Sequence, residues 1–170
     1  MVTLPSELEG SARKTLDDKD RVGLVSDHVA KLTNEVVLVP GAAPCVEIHP
    51  LSSWDPYRQR LTAAADRGPE QANFARHVLG NAQRARLDGQ GRVRIEDELL
   101  RWARIPVKPE GGSREVLLLG VGDRVELWEP GVWDTHRAQF EGSFEVIRAS
   151  VLAGNSDVPT VAVQANGEAK

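Results

Sequence analysis

The chain has 170 residues, 41% of them hydrophobic, a single cysteine and a net charge of −4. That length suits one domain or two small halves sharing a core. A lone cysteine excludes an internal disulfide and a four-thiolate zinc centre, and the acidic balance argues against coating nucleic acid through a broad positive field. No apolar run approaches the roughly 20 residues of a membrane span. The first eight residues lack the basic head and apolar block of a secretory signal, so a cytoplasmic location is expected.

The first landmark in chain order is Leu16-Asp17-Asp18-Lys19-Asp20-Arg21-Val22. The Asp17 side chain is expected to accept backbone N–H groups and fix a turn at the tip of a hairpin, leaving Arg21 to project outward at the base of the next strand. Asp20 occupies the corner that calls for positive φ, which aspartate tolerates, and it adds a negative charge beside Arg21. Ser26 reads as the N-cap of a short helix over residues 27–32. Residues 35–39 and 45–49, joined by Pro40-Gly41-Ala42-Ala43-Pro44, read as a hairpin, and Trp54 then opens a helical stretch. Pro69, an apolar face with Phe74 and Val78, and Gly80 mark a longer helix.

A second turn, Leu87-Asp88-Gly89-Gln90-Gly91-Arg92-Val93, lies between extended residues 82–87 and 92–95. Asp88 fixes this turn and Gly91 supplies its positive φ. Glu96-Asp97-Glu98 put negative charge at the start of a helix running to Trp102. Residues 106–113 form a loop of prolines and glycines, followed by a hairpin of residues 114–119 and 124–128 and then Trp133. From Gly154 onward small polar residues without periodicity predict a mobile tail.

These landmarks repeat. Leu16–Val22 matches Leu87–Val93, Glu35–Val39 matches Glu115–Leu119, Val46–Ile48 matches Val125–Leu127, and Trp54 matches Trp133. The offset grows from 71 to about 80 across the loop 106–113, which the first half lacks. Each half alone buries too little apolar surface. The expected fold is therefore α+β, with two halves in a pseudo-two-fold, β-barrel-like core with short helices: residues 8–54, linking helices over 55–80, residues 81–148, and a flexible tail over 149–170.

Cations gather at the turns. Arg84, Arg86, Arg92 and Arg94 face one acid, Asp88, while Arg13, Lys14, Lys19 and Arg21 surround the first turn. Alternate residues share a strand face, so these side chains read either as a cationic ribbon for phosphates or as the wet face of a half-buried sheet. The histidines are scattered, and Cys45-x-x-x-His49 is the one pair with ligand-like spacing, Cys45 fitting better as a core residue. Gly120-Val121-Gly122 joins strands and opens no helix, so it is no phosphate loop. No enzyme, cofactor, metal or small-molecule substrate is expected.

The two Leu-Asp-x-x-x-Arg turns, Pro50-Leu51-Ser52-Ser53-Trp54, the segment Phe74–Ala82 and the segment Val116–Trp128 together resemble the MraZ family over about residues 8–140. The resemblance implies two SpoVT-AbrB swapped-hairpin units in one chain and a cytoplasmic, nucleoid-associated transcriptional regulator. It implies a ring-like homo-oligomer on double-stranded DNA, at short direct repeats upstream of the division and cell-wall gene cluster. The family's Asp-x-Lys-Gly-Arg turn falls on Asp17, Lys19 and Arg21, with Arg21 the foremost DNA contact and Arg13, Lys14, Lys19, Arg84, Arg86 and Arg92 beside it. Asp20 replaces the turn glycine, and Ser26 and Glu96 replace the prolines after the strands. A carboxylate at the tip leaves open a second reading, a diverged ring-forming scaffold with weak or no DNA binding.

Overall fold

The computed structural model describes residues 8–107 and 114–154. The chain divides into two compact units, one ending at Pro130 and the other beginning at Gly131. In the first, β1 (Ser11–Leu16) and β2 (Arg21–Gly23) lead to α1 (Ser26–Leu32), then β3 (Glu35–Pro40), β4 (Val46–Pro50), α2 (Leu51–Ala65) and α3 (Pro69–Gly80). The series then recurs as β5 (Gln83–Arg86), β6 (Arg92–Arg94), α4 (Asp97–Trp102), β7 (Arg114–Gly120) and β8 (Val125–Trp128). The second unit carries α5 (Pro130–Glu141), which starts at the boundary, and α6 (Phe144–Leu152).

The hairpins β3·β4 and β7·β8 form as the sequence predicts, with Val37 opposite His49 and Leu118 opposite Leu127. The strands flanking the aspartate turns do not pair with each other. β1 runs antiparallel to β7, β5 runs antiparallel to β3, and β2 pairs instead with β6. The result is a six-stranded antiparallel sheet, β1-β7-β8-β4-β3-β5, plus a two-stranded ladder. It is an open sheet and not the barrel-like core expected: β1 and β5 are its edges, and the strands after each turn are used in the β2·β6 ladder instead of bridging them.

Two cores follow from strand alternation. Val36, Leu38, Val46, Ile48, Val116 and Leu118 line one face and pack with Val22 and Val93 of the ladder and Leu32, Leu99 and Leu100 of the short helices. Val37 and Val39 face the other way, onto Trp54 and Leu61 of α2 and Ala75 and Val78 of α3. Burial on both faces is why residues 36–39 are apolar without a break.

Several local expectations change. Val25, extended at φ −67° and ψ 142°, holds the cap position of α1 with no side-chain hydrogen bond, so Ser26 is the first helical residue. The Leu24 amide is engaged by the Gly91 carbonyl, so the chain leaves the ladder extended and the helix begins directly behind it. In α3 the inward face carries Ala75 and Val78, and Phe74 is 42% exposed. Helix α6 continues to Leu152, so helical structure reaches into the stretch assigned to the tail. Residues 108–113 of the expected loop and 155–170 of the expected tail lie outside the described residues. No helix among the described residues is long and apolar enough to cross a membrane.

Candidate nucleic-acid interface

Both aspartate turns are built alike. Asp17 Oδ1 accepts the Lys19 and Arg21 amides at 2.9 Å, and Oδ2 accepts Arg21 Nε at 2.8 Å. Asp88 Oδ1 accepts the Gln90 and Arg92 amides at 2.9 and 3.0 Å, and Oδ2 accepts Arg92 Nε at 2.8 Å. The backbone closes each loop in the same way, with Asp17 and Asp88 amides bonded to the Arg21 and Arg92 carbonyls at 2.9 Å. The positive-φ corner is real in both: 59° at Asp20 and 69° at Gly91. A Cβ on Gly91 would stand 2.8 Å from Val29 Cγ2, so that corner has no room for a side chain.

The β2·β6 ladder brings the two turns together. Val22 lies opposite Val93 and both are buried, which turns Arg21, Arg92 and Arg94 to the outer side, Arg21 directly across from Arg94. Arg21 and Arg92 each also reach the other turn's aspartate: Arg21 Nη1 to Asp88 Oδ2 at 3.9 Å and Arg92 Nη1 to Asp17 Oδ2 at 3.8 Å. Asp17, Arg21, Asp88 and Arg92 thus form a four-membered cycle of alternating charge. Desolvation pushes the Asp17 carboxyl up, but hydrogen bonds from the Arg21 side chain and from the Arg21 and Lys19 amides outweigh it, and the group falls to about 2. The Arg92 amide holds Asp88 below the usual carboxylate range, and the hydrogen bond to Asp17 raises Arg21.

This changes the reading of Arg21. It does not project freely outward; it bends back onto Asp17, and its side chain is 28% exposed. Asp20 is also not a charge at the tip. Its side chain is buried against Arg114, with Arg114 Nη1 donating to Asp20 Oδ1 at 2.5 Å. A buried, paired carboxylate presents no repulsion to an approaching phosphate.

The other candidates are distributed. Arg13 on β1 is exposed and pairs with Glu115 at 2.8 Å, with Lys14 beside it. Arg84 and Arg86 are exposed on β5, Arg84 at 3.6 Å from Glu35. β5 and β6 belong to different sheets, so these two arginines do not continue into one ribbon with Arg92 and Arg94. Among the described residues, Lys14, Lys19, Arg86 and Arg94 have no carboxylate within ion-pair distance. Arg94, which the sequence places with Arg92 on one strand face, is not among the DNA contacts named with the family resemblance. Arg114 has no signal in the sequence, since its partner lies 94 residues away.

Cys45 is a buried residue just ahead of β4, and desolvation pushes its thiol far above the ordinary range, which disfavours the thiolate. His49 is buried and bonded to Glu47 Oε2 at 3.0 Å and Ser53 Oγ at 3.3 Å. Trp54, near the start of α2, is buried in the second core with Val37 and Val39 of β3 and Ala75 and Val78 of α3.

No protein-family model matches the chain. It is similar to proteins named transcriptional regulator MraZ. That of Natranaerobius thermophilus is 27% identical over 143 residues, 84% of this chain and 95% of the relative. That of Aromatoleum aromaticum is 30% identical over 138 residues, 76% of this chain and 85% of the relative. That of Sodalis glossinidius is 30% identical over 129 residues, 73% of this chain and 80% of the relative. Relatives at this identity, matched over most of both chains, establish that the chain belongs to the MraZ family.

Proposed function

We propose that the chain is a DNA-binding transcriptional regulator made of two swapped-hairpin units, residues 8–54 and 81–148, linked by helices over 55–80. It acts in the cytoplasm, on the nucleoid, as a ring-like homo-oligomer on short direct repeats upstream of the division and cell-wall gene cluster. The observation that carries this reading is the β2·β6 ladder, which brings both turns together, with Lys19 and Arg94 exposed and, among the described residues, without carboxylate partners. The names of the relatives support the regulatory role. Arg13, Lys14, Arg84 and Arg86 are further cations on the edge strands β1 and β5, apart from that surface, and Arg21 and Arg92 join once phosphate competes with their aspartates. One subunit offers few cations; repetition around a ring multiplies effective concentration and supplies the affinity.

Fluorescence anisotropy with duplexes tiling the DNA upstream of the chain's own gene, across a salt series, tests this. Binding is expected to weaken steeply with salt. Lys19→Ala and Arg94→Ala are each expected to flatten the log–log slope by about 0.9 per engaged subunit, the value of one phosphate no longer neutralised by each. Absence of binding at low salt would overturn the reading. Light scattering is expected to give a multiple of 18.6 kDa. A ring-forming scaffold without DNA binding is the second reading, favoured by the charge cycle, which neutralises Arg21 and Arg92 within the protein.

A further inference from the structure

The two turns differ at one corner, and each corner is closed by a different neighbour. Gly91 is packed by Val29. Asp20 is 1% exposed and receives Arg114 Nη1 at 2.5 Å, while the same guanidinium donates through Nη2 to the Asp17 carbonyl and through Nη1 to the Pro106 carbonyl at 3.4 Å. Arg114 therefore holds the first residue of the turn by its main chain and the fourth by its side chain. The matching place in the other half, 80 positions earlier, is Asn34, an exposed residue whose carbonyl accepts the Leu87 amide at 3.0 Å. The pair Asp20 and Arg114, one residue from each half, is matched by Gly91 and Asn34, again one from each.

We infer that Arg114 is a positioning residue for the DNA contact made by the first turn. By fixing Asp17 and Asp20 it fixes the backbone of Lys19 between them, on the solvent side, before any DNA arrives. A turn already ordered loses less conformational freedom on binding than a free one. The missing glycine is thereby replaced with a buried ion pair that stiffens the turn and keeps the Asp20 charge away from phosphate. This inference rests on the proposed role of Lys19.

The full-length wild type, Arg114→Ala and the double variant Asp20→Gly with Arg114→Asn are compared by anisotropy on the upstream duplexes and by amide hydrogen exchange. The double variant removes both buried charges together and installs the other half's residues, so it keeps the test alive if Arg114→Ala fails to fold. Both variants are expected to bind about tenfold more weakly, from the cost of ordering the turn, with an unchanged salt slope. Exchange at the Lys19 and Arg21 amides is expected to quicken, while that at Gln90 and Arg92 is not. A merely structural role would lower the melting temperature and leave the affinity of the folded protein alone. Wild-type affinity in the double variant, or unchanged exchange at Lys19, overturns the inference. Wild type that itself fails to bind overturns the functional reading, a failure visible before any substitution is made.

Discussion

The charge cycle makes an unusual demand on the DNA-binding reading: removing an acid should strengthen binding while weakening the protein. Asp17→Asn is the cleanest form of the perturbation. The carboxamide oxygen can still accept the Lys19 and Arg21 amides now held at 2.9 Å, so the turn survives. What disappears is the charged acceptor for Arg21 Nε at 2.8 Å and the more distant one for Arg92 Nη1 at 3.8 Å. The Asp17 side chain is 29% exposed, so removing its charge-assisted hydrogen bonds is expected to cost about 1 kcal/mol. Against DNA the cycle changes from neutral to a charge of +1. One fewer negative charge within a few ångströms of phosphate, in largely aqueous surroundings, is worth about 1 kcal/mol, or about fivefold in affinity. A freed guanidinium that takes a phosphate steepens the salt slope by about 0.9 per engaged subunit. Anisotropy gives the affinity and slope, and urea unfolding at fixed protein concentration gives the stability. Tighter binding with a lower urea midpoint is the expected pair. Weaker binding from a variant that is folded at the assay temperature would refute the idea that Arg21 and Arg92 are held in reserve.

Further outcomes follow from the same geometry. Because the folded-state pKa of Asp17 lies near 2, below its ordinary 3.8, its contribution is fully present above about pH 4 and is lost as pH falls toward 2. That shift corresponds to about 2.4 kcal/mol before screening and about 1 kcal/mol after it, so urea midpoints should fall in this window in wild type and fall less in Asp17→Asn. Gly91→Ala should lose about 1–3 kcal/mol, since φ is 69° and the new methyl would meet Val29 at 2.8 Å; adding Val29→Ala should restore only the steric part. Leu118→Ala, at a fully buried site in the first core, should lose about 2–5 kcal/mol in urea unfolding with DNA affinity of the folded protein unchanged.

Much of this fold is legible in the sequence because its signals are local. Pro69 and Gly80 bracket α3, the apolar run 36–39 is a strand buried on both faces, and positive φ at Asp20 and Gly91 follows from turn chemistry. Strand pairing around the turns is not legible, because its signal is not local. A turn whose aspartate binds its own backbone looks like a hairpin tip, yet two main-chain bonds close each loop and the strands then diverge to other partners. The same limit governs the site. Lys19 and Arg21 are visible from the motif, but whether a cation is free or already paired depends on carboxylates brought in by long-range pairing. Asp88 reaches Arg21, and Asp17 reaches Arg92, only because β2 and β6 lie side by side.

The exchange of strands also explains why divergence at one turn is tolerated. Each corner closes on a residue contributed by the opposite half, Val29 of α1 for Gly91 and Arg114 of β7 for Asp20, so the neighbour decides what the corner can hold. An apolar neighbour that would stand 2.8 Å from a Cβ favours hydrogen at the corner. A buried guanidinium instead requires an acceptor, and aspartate is the shortest side chain that supplies a charged one while tolerating positive φ. Asp20 is then the complement of Arg114 and not a defect in the turn. The conformation that presents Lys19 is kept alike in the two halves by two unrelated interactions, one steric and one ionic, and the surface facing solvent has the same backbone in both.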